Sequence, residues 1–322
     1  MIDTIALQAK HDYFEADMLQ AFVDSLPLMS LRYVGDVMPK YEGLLTMNKG
    51  SLKVTISPYF VSVYGSLCKS ICGNNFITLS HSTIVDALRS VEDVFCIPLS
   101  EWIVTRLDVA NNFLMDKPTI CYMSRFGTLA HYKHLPMSDN GVYYKQTSRE
   151  VNIYDKIADA KHKRQGIPPN FCDRNVLRIE LRAKRGKRSV KETFKLPAPM
   201  TAAMLCDLAF YAAVIVDGYV NLLKSINYVN DMEINLNHLT TLKEVDRMGR
   251  AALIEKAGGI NEMLQLIDRR RSEGAITRKQ ASDLRRTFKA ISNHDEVLLP
   301  NADVAELQAK IEATPYSVLP PQ

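Results

Sequence analysis

The stretch REVNIYDKI, residues 149–157, alternates apolar and polar side chains with the two-residue period of a β-strand. Val151 and Ile153 point to one side, whereas Asn152, Tyr154 and Lys156 point to the other. The preceding segment VYYKQ, residues 142–146, follows the turn-forming letters SDNG and has the same character. We therefore predict an antiparallel hairpin whose second strand carries a tyrosine and a lysine on its polar face.

Three further segments repeat this alternation: SLKVTIS (51–57), WIVTRLDVANNF (102–113) and NVLRIELRAK (175–184). Between the first two lies SHSTIVDALRSVEDVF (80–95), which has the period of an amphipathic helix. Antiparallel sheets commonly bury one face and leave the other accessible. The pattern predicts an α+β fold, with an antiparallel sheet and flanking helices, followed by a smaller helical domain.

If these strands share a sheet, their ionisable side chains fall on one surface: Asp108, Tyr154, Lys156, Glu180 and Arg182. Arg106 lies beside Asp108 on the same strand face. Strand alternation alone places some charged side chains outward, so each strand taken singly could simply have a solvated face. The combination is more informative, because two carboxylates can hold a divalent cation, a tyrosine can act as a nucleophile, and Arg and Lys can bind phosphate.

Composition limits the classes of protein that this chain can be. Its 322 residues are 47% hydrophobic, which is enough to bury one or two cores. Six scattered cysteines without a CxxC pair, and an acidic start where a signal peptide would be basic and then apolar, predict a cytoplasmic protein. The most apolar stretch, residues 200–219, contains Asp207 and Asp217, so we expect a buried helix and no membrane segment.

Positive charge is concentrated in two regions although the net charge is only +4. Residues 161–195 contain twelve Lys or Arg and three acidic residues, and residues 267–291 form a second basic cluster. Either cluster alone could be an ordinary solvated surface. Together they indicate a polyanionic partner.

The predicted domains are an α/β domain over residues 1–199, a helical domain over 200–315 and a disordered tail over 316–322. In the helical part, breaks are predicted at Gly258-Gly259 and at SEGAIT (272–277), where Thr277 can cap the next helix. A helix, a short turn and a basic helix fit a DNA-binding helix-turn-helix. They fit a packing or oligomerisation module equally well, and a homodimer is compatible with the sequence.

The order of the segments VTRLDVANNF, SREVNIYDKIADAK and NVLRIELRAK resembles the replication initiators of filamentous phages, the gene II and gene X type endonucleases of rolling-circle replication. The segments MIDTIAL and KVTISPYFVSVYG also resemble that family. The resemblance covers residues 1–197 and is weaker in the helical remainder, so it implies that the domain over residues 1–199 is a nicking domain. It implies a site-specific single-strand DNA endonuclease and strand transferase that initiates, and also terminates, rolling-circle replication of a phage or plasmid.

In the resembled family a tyrosine attacks a DNA phosphate, and a lysine stands two residues after it. The matching positions are Tyr154 and Lys156. The resemblance implies a 5′-phosphotyrosine intermediate and a free 3′-hydroxyl that primes a host polymerase. The implied partners are single-stranded or locally melted origin DNA, a host helicase and a host polymerase, in the bacterial cytoplasm.

Three kinds of helper are expected around such a nucleophile. Lys156 would favour ionisation of a phenol that loses its proton near pH 10 in water. Asp108 and Glu180 would hold Mg²⁺ or Mn²⁺ against the charge that develops on the phosphate. Arg106 would be a catalytic contact to the phosphate beside the break. Further DNA contacts are expected from Lys53, Arg178, Arg182, Arg185 and Lys187.

The sequence leaves alternatives open for the nucleophile and for the metal ligands. Tyr143 and Tyr144 could compete as nucleophile or stack on a base, whereas Tyr211 and Tyr219 are expected in the core. Asp155 could be a third metal ligand, although its parity groups it with Ile153.

Histidines are not expected to hold the metal, because His131 and His134 would point to opposite faces of a strand. A non-catalytic DNA-binding regulator of the same lineage is the rival hypothesis. A protein that binds or packages RNA is a third, but it gives the carboxylates no role.

Overall fold

A computed structural model describes residues 1–10, 15–35, 39–138, 141–183, 186–229, 241–257, 259–292 and 301–320. Arg185, and the side chain of Lys187, lie outside the described residues, so their predicted DNA contacts remain predictions. The chain divides into two compact units, of which the first contains the whole sheet.

Within the described residues, ten antiparallel strands form one sheet in the order β2-β3-β4-β5-β1-β6-β10-β9-β8-β7. The strands are β1 (Ile2–Lys10), β2 (Met29–Tyr33), β3 (Tyr41–Thr46), β4 (Ser51–Ser57), β5 (Phe60–Ser66), β6 (Ile103–Met115), β7 (Lys133–Ser138), β8 (Gly141–Lys145), β9 (Arg149–Asp155) and β10 (Asn175–Ala183). The predicted strands and their hairpin are therefore confirmed, as is the α+β class.

The first unit also contains helices, most of them short: α1 (Ala16–Asp24), α2 (Leu67–Cys72), α3 (His81–Phe95), α4 (Thr119–Met123), α5 (Lys156–His162), α6 (Lys187–Thr193), α7 (Ala202–Cys206), α8 (Leu208–Phe210) and α9 (Asp217–Lys224). A 3₁₀ turn covers Pro169–Phe171, and a π-helical turn covers Tyr211–Val216 between α8 and α9. The apolar stretch 200–219 is thus a broken series of helical turns. Tyr211 and Tyr219 are fully buried, as predicted. None of the described helices is both long and apolar enough to cross a membrane.

The core lies on the apolar face of the central strands. Val104, Leu107 and Val109 of β6 and Leu177, Ile179 and Leu181 of β10 are buried, and the Tyr219 hydroxyl donates to the Ile179 carbonyl oxygen at 3.0 Å. Burial of this face fixes the register, because a slip by one residue would turn every apolar side chain to the other side. The register places Asp108 opposite Arg182, and Tyr154 opposite Arg178, on the polar face.

The second unit is helical and consists of residues 124–127 and 227–308. It contains α10 (Leu242–Lys256), α11 (Ile260–Ser272) and α12 (Arg278–Ser292), and the helix α13 (Ala302–Glu312) begins in it. Met263 and Ile267 pack against Ala281 and Phe288. Thr277 caps α12 as predicted, since its hydroxyl accepts from the Gln280 backbone N–H at 3.2 Å. The choice between a helix-turn-helix and a packing module stays open.

The compact units divide the chain at places other than the predicted domain boundaries. Residues 200–226 and 309–322 belong to the unit that contains the sheet. The helix α14 (Thr314–Val318) overlaps the segment predicted as a tail, and Thr314 and Val318 are buried. A functional division into nicking and helical domains stays a prediction.

Candidate active site

The polar face of β6 and β10 is closed to solvent at three of the predicted positions. Asp108, Arg178 and Glu180 are each no more than 3% exposed. The segment after α2 lies over this face, because the Asn75 carbonyl oxygen accepts from Arg178 Nη1 at 3.0 Å and from Asn112 Nδ2 at 3.1 Å. The expectation of an accessible face is therefore wrong for these positions.

Three arginines neutralise three carboxylates on this closed face. Arg178 bonds to Asp3 Oδ2 at 2.7 Å and to Glu180 Oε1 at 2.8 Å. Arg182 Nε donates to Glu180 Oε2 at 2.9 Å. Arg106 binds both oxygens of Asp108, at 2.8 and 3.1 Å, which confirms that these two side chains lie side by side. We call these six residues the ion-pair cluster.

Arg178 is an internal counter-ion. Its guanidinium also donates to Asn112 Oδ1 at 3.0 Å, so all of its described partners belong to the protein. The predicted DNA contact of Arg178 stays a prediction, and the guanidinium would have to leave these internal partners to make it. A buried guanidinium is tolerated only when several acceptors satisfy it, and here Asp3, Glu180, Asn75 and Asn112 supply them.

Tyr154 lies at the edge of this cluster. Its hydroxyl donates to Glu180 Oε1 at 3.0 Å, and the residue is 8% exposed. Burial raises the pKa of Tyr154 well above its usual range, and the nearby Glu180 carboxylate raises it further, against the opposing charge of Arg178. In this arrangement the tyrosine is a neutral phenol at neutral pH.

Glu180 is held as a carboxylate. Burial alone would raise the pKa of Glu180, but the charges and hydrogen bonds of Arg178 and Arg182 outweigh it and lower the pKa to about 2. At Asp108, burial dominates and raises the pKa to about 6, against the opposing hydrogen bonds and charge of Arg106. Glu180 thus accepts a hydrogen bond from the Tyr154 hydroxyl. In this arrangement it is too weak a base to remove the proton.

Lys156 is placed differently from the prediction. The strand β9 ends at Asp155, whose carboxylate accepts from the Ala158 backbone N–H at 2.8 Å and so caps α5. Lys156 is the first residue of that helix and only 1% exposed, and its Nζ lies 5.1 Å from the centre of the Phe76 ring. Burial lowers the pKa of Lys156 to about 8. Its nearest carboxylate oxygen among the described ion pairs is Asp159 Oδ2, at 3.9 Å.

A cavity of about 350 Å³ opens beside Tyr154. Its lining includes Tyr143, Asn152, Tyr154, Asp155, Asp159, His162, Lys163 and Arg182. Tyr154 and Arg182 thus line the same cavity. The Arg182 side chain is 34% exposed. The structure does not bring Arg106 to this cavity, because β10 separates its strand from β9.

Sequence reasoning missed Asp3 and the helical residues Asp159, His162 and Lys163. Asp3 reaches the ion-pair cluster through an irregularity in the pairing of β1 with β6 between Ile2 and Thr4. The helical residues had a signal in the sequence: Asp155 is a good cap, and Lys156, Asp159 and Lys163 recur with a helical spacing.

The two proposed metal ligands do not offer a ready cation site. Glu180 Oε1 accepts from Tyr154 and Arg178, Glu180 Oε2 from Arg182, and both Asp108 oxygens from Arg106. Within the described parts of the chain, no group of three or more His, Cys, Asp or Glu side chains is placed to hold a metal ion. Asp155 does not join the pair either, because it caps α5 and accepts from Thr119 Oγ1 at 2.6 Å. A metal ion at Asp108 and Glu180 stays a prediction, and it would have to displace guanidinium groups.

Because arginines bind the carboxylates of Asp108 and Glu180, the DNA-free protein should not respond to magnesium. We expect millimolar Mg²⁺ or Mn²⁺ to leave the thermal unfolding temperature unchanged, because a ligand stabilises a fold only by binding it. The measurement is a thermal melt with and without the ion at constant ionic strength. A rise in melting temperature that Asp108→Asn abolishes would instead establish the metal site.

The family described as the N-terminal part of a replication-associated protein, of the phage gene II type, matches residues 42–199. The matched segment is just under half of the chain. The match is consistent with the filamentous phage gene II type initiator that the sequence resembles, and it implies a rolling-circle replication initiator that binds DNA at an origin. A search of curated proteins found no match.

The matched segment contains most of the candidate site. Asp108, Tyr154, Glu180 and Arg182 lie within the matched residues, together with the helix α5. Asp3 lies outside them, on the strand β1, and still completes the environment of Arg178. The ion-pair cluster therefore joins the matched segment to the first strand of the sheet.

Proposed function

We propose that this protein is a site-specific single-strand DNA endonuclease and strand transferase that initiates and terminates rolling-circle replication of a phage or plasmid through a 5′-phosphotyrosine on Tyr154. The observation that carries the proposal is the Tyr154 hydroxyl, 3.0 Å from the Glu180 carboxylate at the edge of a cavity lined by Arg182 and Lys163. The family match supports the same role at the level of replication initiation.

The proposal needs a change in the ion-pair cluster when DNA binds. Arg182 is the arginine that we expect to move, because its side chain is 34% exposed whereas that of Arg178 is 2% exposed. A DNA phosphate in the cavity would draw Arg182 away from Glu180, since guanidinium groups bind phosphate well. The pKa of Glu180 would then rise, because one of the two charges that lower it has left.

The chemical step is a transesterification that moves the phosphate from the 3′ oxygen to Tyr154. The Tyr154 proton passes to Glu180 while the phenolic oxygen attacks the phosphorus atom and the bond from phosphorus to the 3′ oxygen breaks. The 3′ oxygen leaves with the electron pair of that bond and takes a proton from water in the open cavity. The product is a phosphate ester of Tyr154 on the 5′ side, whose bond energy permits later rejoining to another 3′-hydroxyl.

Positive side chains supply the charge stabilisation that this step needs. Arg182 and Lys163 line the cavity in which the non-bridging phosphate oxygens would lie. Lys156 faces the Phe76 ring and Asp159, so we assign it to positioning of α5 and not to contact with DNA. Arginine side chains already bind the carboxylates of the predicted metal ligands, Asp108 and Glu180. The proposed transfer step therefore does not use a metal ion.

Arg182 and Arg188 distinguish transition-state stabilisation from general DNA affinity. Arg182→Ala is expected to lower the single-turnover nicking rate at saturating DNA by about 100-fold, because it removes a charge beside the scissile phosphate. Arg188→Ala is the matched control: its side chain is 89% exposed and pairs with Glu192 on the helix α6. We expect that control to change affinity only slightly. Equal effects of both variants on affinity, with no effect on the rate, would place Arg182 on the general DNA-binding surface.

A non-catalytic DNA-binding regulator is the second candidate, and one observation favours it. Tyr154 is buried and neutral, and both oxygens of its partner Glu180 are already held by arginine. A site that stayed in this state with DNA bound would not cut. The two candidates separate on incubation with end-labelled single-stranded DNA of the encoding replicon: a denaturant-resistant protein–DNA adduct supports the enzyme, and tight binding without an adduct supports the regulator.

The remaining partners follow from the same reaction. A free 3′-hydroxyl is a primer, so a host polymerase and a helicase are the proposed partners after nicking. The bacterial cytoplasm is the proposed setting, because these partners act there.

A further inference from the structure

A large groove lies on the polar face of β4, β5, β1 and β6, away from the Tyr154 cavity. It encloses about 990 Å³ and is lined by small hydroxyl side chains, one tyrosine and several cations. Its lining residues include Lys10, Lys53, Thr55, Ser62, Tyr64 and Arg106. The lining contains three basic residues and one acidic residue, Glu101, so its charge is positive.

One row of side chains crosses this groove through the strand register. Lys53 lies opposite Tyr64, Tyr64 opposite Ala6, and Ala6 opposite Arg106. Residues directly opposite in antiparallel strands share a face, and four strands span roughly 14 Å. The small Ala6 leaves room above it, so that the Arg106 guanidinium reaches across to within 5.8 Å of the centre of the Tyr64 ring.

Tyr64 offers an accessible aromatic surface in this row. It is 42% exposed, and its hydroxyl is 3.5 Å from Arg106 Nη1. Aromatic rings beside a cationic groove hold unpaired bases by stacking, whereas the bases of a duplex are already stacked on each other. Thr55 and Ser62 line the floor with hydroxyl groups, which can donate to phosphate oxygens.

Two partly exposed arginines, Arg106 and Arg182, lie between the groove and the candidate active site on the same face of the sheet. Arg106 pairs with Asp108, and Asp108 lies opposite Arg182, which lines the Tyr154 cavity. Cationic side chains therefore follow one another from Lys53 through Arg106 to Arg182. Because adjacent strands are about 4.8 Å apart, a DNA strand that leaves the groove at Arg106 would meet Arg182 on the next strand.

We propose that this groove binds the single-stranded DNA that flanks the cleavage site, with one base stacked on Tyr64 and the adjoining phosphates held by Lys53 and Arg106. The proposal rests on the proposed nicking function for the identity of the strand. The stacking surface itself rests on the position of Tyr64 and on the charge of the groove.

The test measures binding of a fluorescein-labelled oligothymidylate by fluorescence anisotropy. Tyr64→Ala is expected to weaken binding roughly tenfold or more, because it removes a stacking surface. Tyr64→Phe keeps the ring and should bind as the wild type does. Tyr316→Ala is the matched control, since Tyr316 is 89% exposed and lies far along the chain on α14. Lys53→Ala should reduce the slope of log affinity against log salt by about 0.7.

Equal affinities of Tyr64→Ala and Tyr316→Ala would overturn the proposal. So would a Tyr64→Phe variant that folds, by its thermal melt, but binds as weakly as Tyr64→Ala. Adduct formation by the wild-type protein is a separate readout. An adduct without any Tyr64 effect would overturn the groove alone, whereas a Tyr64 effect without an adduct would overturn the nicking function and leave the groove in place.

Discussion

Tyr154→Phe is expected to abolish both nicking and the covalent protein–DNA adduct while leaving single-stranded DNA binding intact. The substitution deletes the hydroxyl that donates to Glu180 and keeps the ring in its packed position. Without the hydroxyl there is no nucleophile, so the loss should reach the detection limit of the assay. The measurement is a denaturing gel of end-labelled single-stranded DNA, with binding measured separately by anisotropy.

Tyr143→Phe is the informative comparison, because Tyr143 lines the same cavity. Adduct formation that persists in Tyr154→Phe and disappears in Tyr143→Phe would move the nucleophile to the neighbouring strand. Tyr144 is a weaker competitor: it is fully buried and its ring stacks on His134, with centres 4.9 Å apart.

Arg178→Met is expected to lower the free energy of unfolding by about 3–5 kcal/mol, the usual cost of removing one partner of a buried ion pair. Asp3 would keep only Ser66 among its described side-chain partners, at 2.8 Å, and Glu180 would lose one of its two arginines. A methionine has similar length but cannot satisfy the Asn75 carbonyl oxygen or the two carboxylates. The measurement is urea unfolding at pH 7, where Glu180 is fully ionised.

Two variants control this prediction. Arg188→Met removes an exposed arginine and should change stability by less than about 0.5 kcal/mol. Arg178→Lys keeps one positive charge and should fall between the wild type and Arg178→Met. A loss below about 1 kcal/mol in Arg178→Met would mean that the ion-pair cluster contributes little to the fold.

The same cluster shows what the sequence could predict. Alternation in residues 51–57, 102–113 and 175–184 identified three strands, and it placed Arg106 beside Asp108 and Glu180 beside Arg182. These predictions succeed because the side-chain period of a strand follows from its backbone geometry. Alternation identifies the face on which a side chain lies, but it does not identify what packs against that face.

The burial of the polar face was not predictable for that reason. Asn75 and Phe76 cover Arg178 and Asn112, although Asn75 lies 103 residues before Arg178 in the chain, and Asp3 arrives from β1 through a pairing irregularity. Such contacts depend on the tertiary fold. The end of β9 is a different case, because the capping residue Asp155 and the spacing of Asp159 and Lys163 were visible in the sequence.

The most direct test of the account is to map the DNA-linked peptide by mass spectrometry. The wild-type protein is incubated with single-stranded DNA of its replicon, digested with nuclease and trypsin, and searched for a tryptic peptide that carries a nucleotide through its 5′ phosphate. Cleavage after Arg149 and Lys156 gives the peptide EVNIYDK, which contains Tyr154 as its single tyrosine. The account predicts the nucleotide on this peptide. A nucleotide on the peptide that contains Tyr143 and Tyr144, or binding without any linked peptide, would contradict it.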